Sequence, residues 1–338
     1  MDLSERAQKI LNLIIDCYIK TAEPVGSAQL VKSYNLKCSS ATVRNIMAEL
    51  MEKGYLMQPH VSAGRVPTEK GIRFYVNSLP YSNKLPDEQK AAIERIYKEV
   101  DGTIEEVMYE TGRVLSDISR CASLVTLPNT RFMRIESAKL VRLGEKKVLV
   151  IIVFEGGLTE KTLIRTERRV PKDALDRMSE YLNRLAVGLT LGEMKGVLDR
   201  LRRERKIYKE FIEGVIKLSG KFEQGFISEV YIKGQTAFFE HISLSNPKEF
   251  KELIRIFEEK SFLIDVIDKV MKEDGTKVFI GSESGIMKGY SLVAASYGND
   301  KRLGTLGVLG PMRMDYSQII PLVDYTARIV SKIVSEGG

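Results

Sequence analysis

No tryptophan, two histidines and three cysteines occur in the 338 residues, and these scarcities exclude whole classes of chemistry. His60 lies in a proline-flanked stretch and His241 far downstream, so no cluster of cysteine and histidine has the spacing of a zinc site. A Ser-His-Asp or Cys-His mechanism would have to bring one of these two histidines to a distant nucleophile, and the chain is expected not to be an enzyme. Cys17, Cys38 and Cys121 are three in number and fall in different local settings, which predicts free thiols rather than a disulfide framework. Long apolar runs are also missing. The chain starts Asp2-Leu3-Ser4-Glu5-Arg6 without an apolar signal core, and no run approaches the roughly 20 apolar residues that cross a bilayer. The expectation is a cytoplasmic protein with no membrane contact, no metal and no cofactor.

What the chain does contain is concentrated near its beginning. Val43, Ile46, Met47 and Leu50 recur at i, i+3, i+4 and i+7, the stripe that an amphipathic helix buries, and Ser39 or Ser40 can cap its start. Upstream, Ser27 can cap a shorter helix through Ala28, Leu30 and Val31, with Asn35 to Cys38 polar enough to form the turn between the two. A third helix precedes them with Ile10, Leu11, Ile14, Ile15 and Tyr18 on one side. Three short helices of this kind make the core of a helix-turn-helix unit.

The face of the second stripe opposite the buried residues carries Ala41, Asn45, Ala48 and Glu52, with Thr42, Arg44 and Glu49 on its shoulders. Asn pairs bidentately with adenine, Arg with guanine, and a Thr or Ala methyl touches the thymine methyl, while small side chains let the helix sit deep in a major groove. Glu49 and Glu52 would repel phosphate, so contact is expected to fade toward the helix end. After Lys53-Gly54 come a short strand, Tyr55 to Gln58, and the stretch Pro59-His60-Val61-Ser62-Ala63-Gly64-Arg65-Val66-Pro67. A turn held between prolines, with a flexible Gly64 beside Arg65, suits the tip of a wing that reaches a phosphate or the minor groove. Thr68 then caps a further helix through Ile72, Tyr75 or Val76, and Leu79. On this reading Asn45, Arg44, Thr42 and Ala41 face base edges. Ser27, Gln29, Lys32, Ser39 and Ser40 position the backbone, and His60, Ser62 and Arg65 act in the wing. An excess of basic over acidic residues, 52 against 45 for a net charge of +7, fits a polyanionic partner without proving one.

Three blocks now stand in order: Glu23-Pro24-Val25-Gly26-Ser27, Ser39-Ser40-Ala41-Thr42-Val43-Arg44-Asn45, and Pro59 to Thr68. Together with the ending LGTLGVLGPMRMDYSQIIPLVDY, they resemble the family of heat-inducible transcription repressors known as HrcA. The resemblance runs through the whole chain, strongest over the first eighty residues and in that ending, and 172–246 carries no specific motif. It implies a repressor of chaperone operons that binds an inverted-repeat operator in double-stranded DNA as a homodimer. It also implies a winged-helix domain, a GAF-like domain with a dimerising segment inserted into it, and activity modulated by heat and by the GroEL chaperonin.

Beyond Leu79, the run Pro80-Tyr81-Ser82-Asn83-Lys84-Leu85-Pro86 reads as a linker. From Asp87, apolar residues from Ile93 to Ile118 keep helical spacing as one long helix or two in tandem, with Gly102 and Gly112 as weak points. Ile135 to Leu143, Lys147 to Phe154 and Leu158 to Arg165 are β-rich runs broken by glycine, which predicts an antiparallel meander. Further strands are expected at Lys277 to Ile280, Tyr290 to Ser296 and Leu303 to Leu309, followed by a closing helix from Tyr316 to Val334. Between these lie helical signals at Pro171 to Val187 and Leu191 to Leu218, a hairpin of Glu229 to Lys233 with Gln235 to His241, and a helix opened by Asn246-Pro247. The basic run Arg200 to Lys206 is expected on a solvated helix face.

The expected fold is therefore α+β: a winged helix-turn-helix over 1–80, a linker over 81–86, and a GAF-like antiparallel-sheet domain over 87–171 and 247–338. A helical and hairpin dimerisation domain is inserted over 172–246. The glycine-rich stretches Gly281 to Gly289 and Gly304 to Gly310 lack the spacing of a P-loop or a dinucleotide fingerprint. They are expected as a turn between strands and as close backbone packing within one. Two other readings stay open: a winged-helix regulator controlled by a small ligand in the GAF-like domain, and a protein-interaction adaptor that uses the same helices.

Overall fold

α1 (Glu5–Thr21), α2 (Ser27–Ser33) and α3 (Ser40–Glu52) form where the stripes predict them, and each starts at a residue with extended backbone. The computed structural model describes residues 3–61, 63–80, 85–100, 102–166, 169–204, 230–236, 269–270, 272, 275–284, 289–299 and 301–336. Ser4 caps α1 by accepting the Ala7 amide. Ile10, Leu11, Ile14 and Ile15 of α1 are buried with Leu30 of α2 and with Val43, Met47 and Leu50 of α3. α2 departs from expectation at its start. Its N-cap is Gly26, and Ser27 is its first helical residue, buried rather than capping. The turn between α2 and α3 bends at Asn35, whose φ is 46°, a conformation that Asn tolerates better than most residues.

The wing follows as β1 (Leu56–Met57) paired antiparallel with β2 (Val66–Pro67). α4 (Glu69–Ser78) starts at Thr68, whose hydroxyl accepts the Gly71 amide and donates to Gly54 and Tyr55 carbonyls. Two side-chain bonds return α4 to α1: Tyr75 to the Asp16 carboxylate at 2.6 Å, and Asn12 to Ser78 at 3.1 Å.

The expected tandem helices are α5 (Asp87–Glu99) and α6 (Ile104–Ser119). Gly112 does not interrupt α6. Its carbonyl accepts from Ser123, and its bare Cα lets α6 lie close to the sheet. Among the described residues that sheet has five antiparallel strands. They are β3 (Ala122–Thr126), β7 (Val230–Lys233), β8 (Lys277–Ile280), β9 (Tyr290–Tyr297) and β10 (Gly304–Pro311), in the order β7-β3-β10-β9-β8. α6 and the closing helix α9 (Tyr316–Glu336) cover it. β10 is central, and a Cβ at Gly307 would sit 2.6 Å from the Val293 carbonyl oxygen, so glycine there permits the close approach that the strand needs. Gly281–Ser284 makes a short 3-10 turn after β8, as the first glycine-rich stretch predicts.

The meander forms with β4 (Ile135–Gly144), β5 (Lys147–Phe154) and β6 (Thr159–Arg165). It is a sheet of its own, however, not part of the five-stranded one. Its buried face, with Ala138, Leu140, Val150, Ile152 and Ile164, packs on α7 (Lys172–Ala186). Asn183 of α7 bonds both the amide and the carbonyl of Ala138, and Ser179 accepts the Leu140 amide. α8 (Leu191–Glu204) follows.

Val230–Lys233, expected as one arm of a hairpin with Gln235 to His241, pairs instead with β3, and Gln235 and Thr236 are helical. The stretch interrupting the five-stranded sheet thus runs from after Thr126 to before Val230, earlier than the expected boundary at residue 172. Strand β3 has the alternation of neither a half-buried strand nor a helix, because all five of its residues are buried. That is why the sequence pattern passed over it. Arg200 to Glu204 of the basic run fall in α8, whereas the helix expected after Asn246-Pro247, residues 237–241 of the predicted hairpin, and Arg205 and Lys206 lie outside the described residues.

Cys17 and Cys121 are buried and Cys38 is half-buried, all three as free thiols. Burial raises the Cys17 thiol and pushes Cys121 up to about 11, so little thiolate exists at either site near neutral pH. Native protein treated with iodoacetamide at pH 8 is expected to be alkylated first at Cys38. Peptide mass mapping checks the order, and early labelling of Cys121 would contradict the packing.

Candidate nucleic-acid interface

Burial of Val43, Met47 and Leu50 turns the other side of α3 outward, and the residues on it are Ala41, Arg44, Asn45 and Ala48, all exposed. Neither Arg44 nor Asn45 makes a side-chain hydrogen bond or ion pair with another described residue. Two long donors therefore stand between two alanines, a profile low enough to enter a major groove and equipped to read base edges there. At the far end, Glu49 is paired with Lys53 at 2.7 Å. The repulsion expected from Glu49 is offset within the helix, and exposed Glu52 alone retains it.

The start of α3 settles which serine caps it. Ser39 accepts the Thr42 amide at 3.1 Å, and its hydroxyl lies 3.0 Å from that of Thr42. Thr42 is thus engaged with the cap, leaving chiefly its methyl to meet a base. Ser40 is half-buried at the first helical position. In α2, Ser27 is buried, and the side-chain oxygen Oε1 of Gln29 accepts the Gly26 amide at 3.3 Å. Lys32 is exposed in the last turn of α2, and Lys37 in the turn before α3 is exposed too. Lys37 escaped the sequence reading because a single lysine in a turn carries no pattern.

The wing is better ordered than its composition suggests. Gln58 donates to the carbonyls of Val61 (2.7 Å) and Ala63 (3.1 Å), closing the loop upon itself, while the Ala63 amide bonds the His60 carbonyl. His60 is exposed, and Val61 is 98% exposed at the tip. Ser62 lies outside the described residues.

Arg65 is tied into the backbone of the winged helix. Its amide and carbonyl both bond Val25 at 2.9 Å, which adds the loop between α1 and α2 to the wing as a third strand-like element. A Cβ at Gly64 would lie 2.6 Å from the Pro24 carbonyl. Gly64 is there for that crossing of two backbones, not for a flexible tip. The Arg65 guanidinium turns back to the Ala63 carbonyl at 3.2 Å. Gln58 was not anticipated, since a lone glutamine at a strand end gives no signal until the loop closes around it.

The family model described as "HrcA protein C terminal domain" matches residues 105–320. A heat-inducible transcription repressor HrcA of Geobacter sulfurreducens is 38% identical over 337 residues, covering 98% of this chain and 98% of that protein. The protein of the same name in Syntrophobacter fumaroxidans is 35% identical, covering 100% of this chain and 99% of the relative. This chain belongs to the HrcA family. The crystal structure of a hypothetical protein, 23% identical and covering all of both chains, has the same fold at a TM-score of 0.66.

The HrcA resemblance noted in the sequence blocks is thereby confirmed over nearly the whole chain, and each block has a physical role in the winged helix. Glu23 to Ser27 supplies the Val25 bridge and the α2 cap, Ser39 to Asn45 the cap and the exposed donors, and Pro59 to Thr68 the wing and the α4 cap. Among the described residues of this HrcA chain no helix is long and apolar enough to cross a membrane, and no group of histidine, cysteine and acidic residues could hold a metal ion.

Substitutions should separate scaffold from reader. Ser39→Ala should lower stability by about 0.5–2 kcal/mol through the lost cap. Arg44→Ala and Asn45→Ala should leave thermal melting unchanged, and each should weaken binding to the inverted repeat by about 1–3 kcal/mol with relaxed preference at one base pair. Melting curves and competition with base-substituted duplexes check both.

Proposed function

We propose that this heat-inducible transcription repressor acts as a homodimer on an inverted-repeat operator of chaperone genes, each winged-helix domain reading one half-site. The observation that carries the reading is the pair Arg44 and Asn45, exposed and without side-chain partners on the outward face of a helix whose other face is locked in a core. Ala41 and the Thr42 methyl would contribute apolar contacts. Lys32, Lys37 and Ser40 would meet phosphates, and His60 with its neighbours at the wing tip would meet the flanking backbone. Ser27 and Gln29 support α2 instead. Arg65 supports the wing, its side chain within reach of the groove only if it leaves the Ala63 carbonyl.

The dimer contact belongs in the unit inserted between β3 and β7. Leu163 (49% exposed) lies with Val141 and Leu149 on the face of the meander turned away from α7, and Leu143 (58%) is exposed at the bulge that ends β4, an apolar surface that a second copy would cover. As the family resemblance implies, heat would shift the repressor toward an inactive form, and the GroEL chaperonin would restore the active one.

A second reading rests on a cleft of about 600 Å³ between α4 and α9, lined in part by Arg73, Asn77, Lys277, Ser317 and Asp324. A small ligand there would control the same DNA-binding unit.

Operator binding should be measured across a salt series against a scrambled duplex. The expected result is preference for the repeat that persists as salt rises, while binding to the scrambled duplex falls steeply. Equal and equally salt-sensitive binding to both would remove the specific reading. Heated protein should regain operator affinity when GroEL and ATP are added, and recovery at the same extent without GroEL would count against chaperonin control. The monomer mass in sedimentation at micromolar concentration would count against the dimer.

A further inference from the structure

Among the described elements, α4 against β8 is the main contact between the winged-helix unit and the rest of the chain. The contact is polar. Arg73 of α4 donates through Nε to one carboxylate oxygen of Glu283 at 3.0 Å, through Nη2 to the other, and through Nη2 again to the Val278 carbonyl at 2.6 Å. One turn earlier on the same helix, the Glu69 carboxylate accepts from the Ser282 hydroxyl at 2.8 Å and from its amide at 3.3 Å. A cation and an anion on α4 thus meet an anion and a pair of donors on the turn after β8. A sliding or rotation that satisfied one contact would break the other. Gly281 completes the fit, because a Cβ there would fall 2.0 Å from the Glu69 carboxylate oxygen.

A clasp of this kind adds little to global stability. Arg73 and Glu283 are about one-third exposed, at 31% and 38% for their side chains, and water screens such pairs. What two-pronged Arg–carboxylate pairing supplies is geometry. Beside it the two units are not packed shut, since the cleft between α4 and α9 keeps Val76 and Leu79 apart from Ile320 and Pro321. With no close-packed seam there, the clasp holds the angle between the units.

We propose that Arg73 and Glu283, seconded by Glu69 and Ser282, are positioning residues for operator binding: they set the direction in which each protomer presents α3, and so the register of the two reading helices across the inverted repeat. This inference rests on the dimeric, inverted-repeat reading above. The clasp residues touch no DNA. They act on the part of the affinity that comes from engaging two half-sites at once, a gain of about 10²–10⁴ for linked sites of matching geometry.

The test uses the full chain as Arg73→Glu, as Glu283→Arg and as the double exchange, with Arg73→Gln as a milder break. Fluorescence anisotropy reads binding to a duplex carrying the inverted repeat and to one carrying a single half-site, and melting curves report the fold. Each single variant is expected to lose about tenfold or more on the repeat, out of the linked-site gain, and to bind the half-site within about twofold of wild type, since the reading surface is untouched. The double exchange is expected to recover most of the loss on the repeat. Equal losses on both duplexes would overturn the positioning role, because they would place the clasp in the integrity of the reading unit. Unchanged binding to the repeat, or an exchange as weak as the single variants, would overturn it too. Wild-type protein that binds the half-site as tightly as the repeat would overturn the dimeric reading and the positioning role together, whereas a wild-type preference for the repeat that the variants share overturns the positioning role alone.

Discussion

The burial of Val43, Met47 and Leu50 against α1 and α2 sets the roll of α3 about its own axis, and with it the residues that face outward. Each such side chain is worth about 1.5–3 kcal/mol when fully removed from water. Rotating the helix by one residue, about 100°, would exchange this stripe for Arg44, Ala48 and Met51 and strand the Arg44 guanidinium in the core. The same packing turns Arg44 and Asn45 outward. The Ser39 cap fixes where the helix starts along its axis, and the core fixes the face it shows.

The wing depends on the same core through a backbone link. Val25, buried in the loop between α1 and α2, bonds Arg65 through both its amide and its carbonyl. Gly64 lets the two backbone segments cross at that distance. Helix-turn-helix and wing are consequently joined backbone to backbone, and Gln58 closes the tip. The clasp at Arg73 and Glu283 extends the chain of constraint outward, from the reading surface to the sheet that carries it.

Function-bearing residues and fold-bearing residues separate along this protein. In the winged helix, exposed donors sit on a closely packed base. In the five-stranded sheet, the polar groups are drawn inward: Tyr297 bonds the Thr126 carbonyl at 2.6 Å, and Tyr316 bonds Ser291 at 2.8 Å. Burial raises both phenols far above their ordinary range, through desolvation first. They hold strands and helices in register, and they are not poised for chemistry. That distribution agrees with a regulator, whose carrier domain orients a binding surface.

Local pattern determined much of this protein. Periodic apolar stripes gave the helices α1, α3, α4, α5, α6 and α9 to within a few residues, because amphipathicity is written in the spacing itself. Alternation and glycine breaks did the same for the meander and for β8 to β10. The outward face of α3, with Arg44 and Asn45, was legible for the same reason. Tertiary structure decided what depends on residues far apart in the chain. Strand β3, buried on both faces, lacks alternation and is defined by its neighbours β7 and β10. The separation of the meander into its own sheet follows from its packing on α7. The local settings of Ser27, Gln29, Gly64 and Arg65 were not legible, because each answers to a partner that spacing does not reveal: a core, a cap, or the backbone of Pro24 and Val25. The clasp joins residues 210 positions apart, and no local preference could have announced it, since an arginine on a helix and a glutamate in a turn become a joint only when the fold sets them face to face.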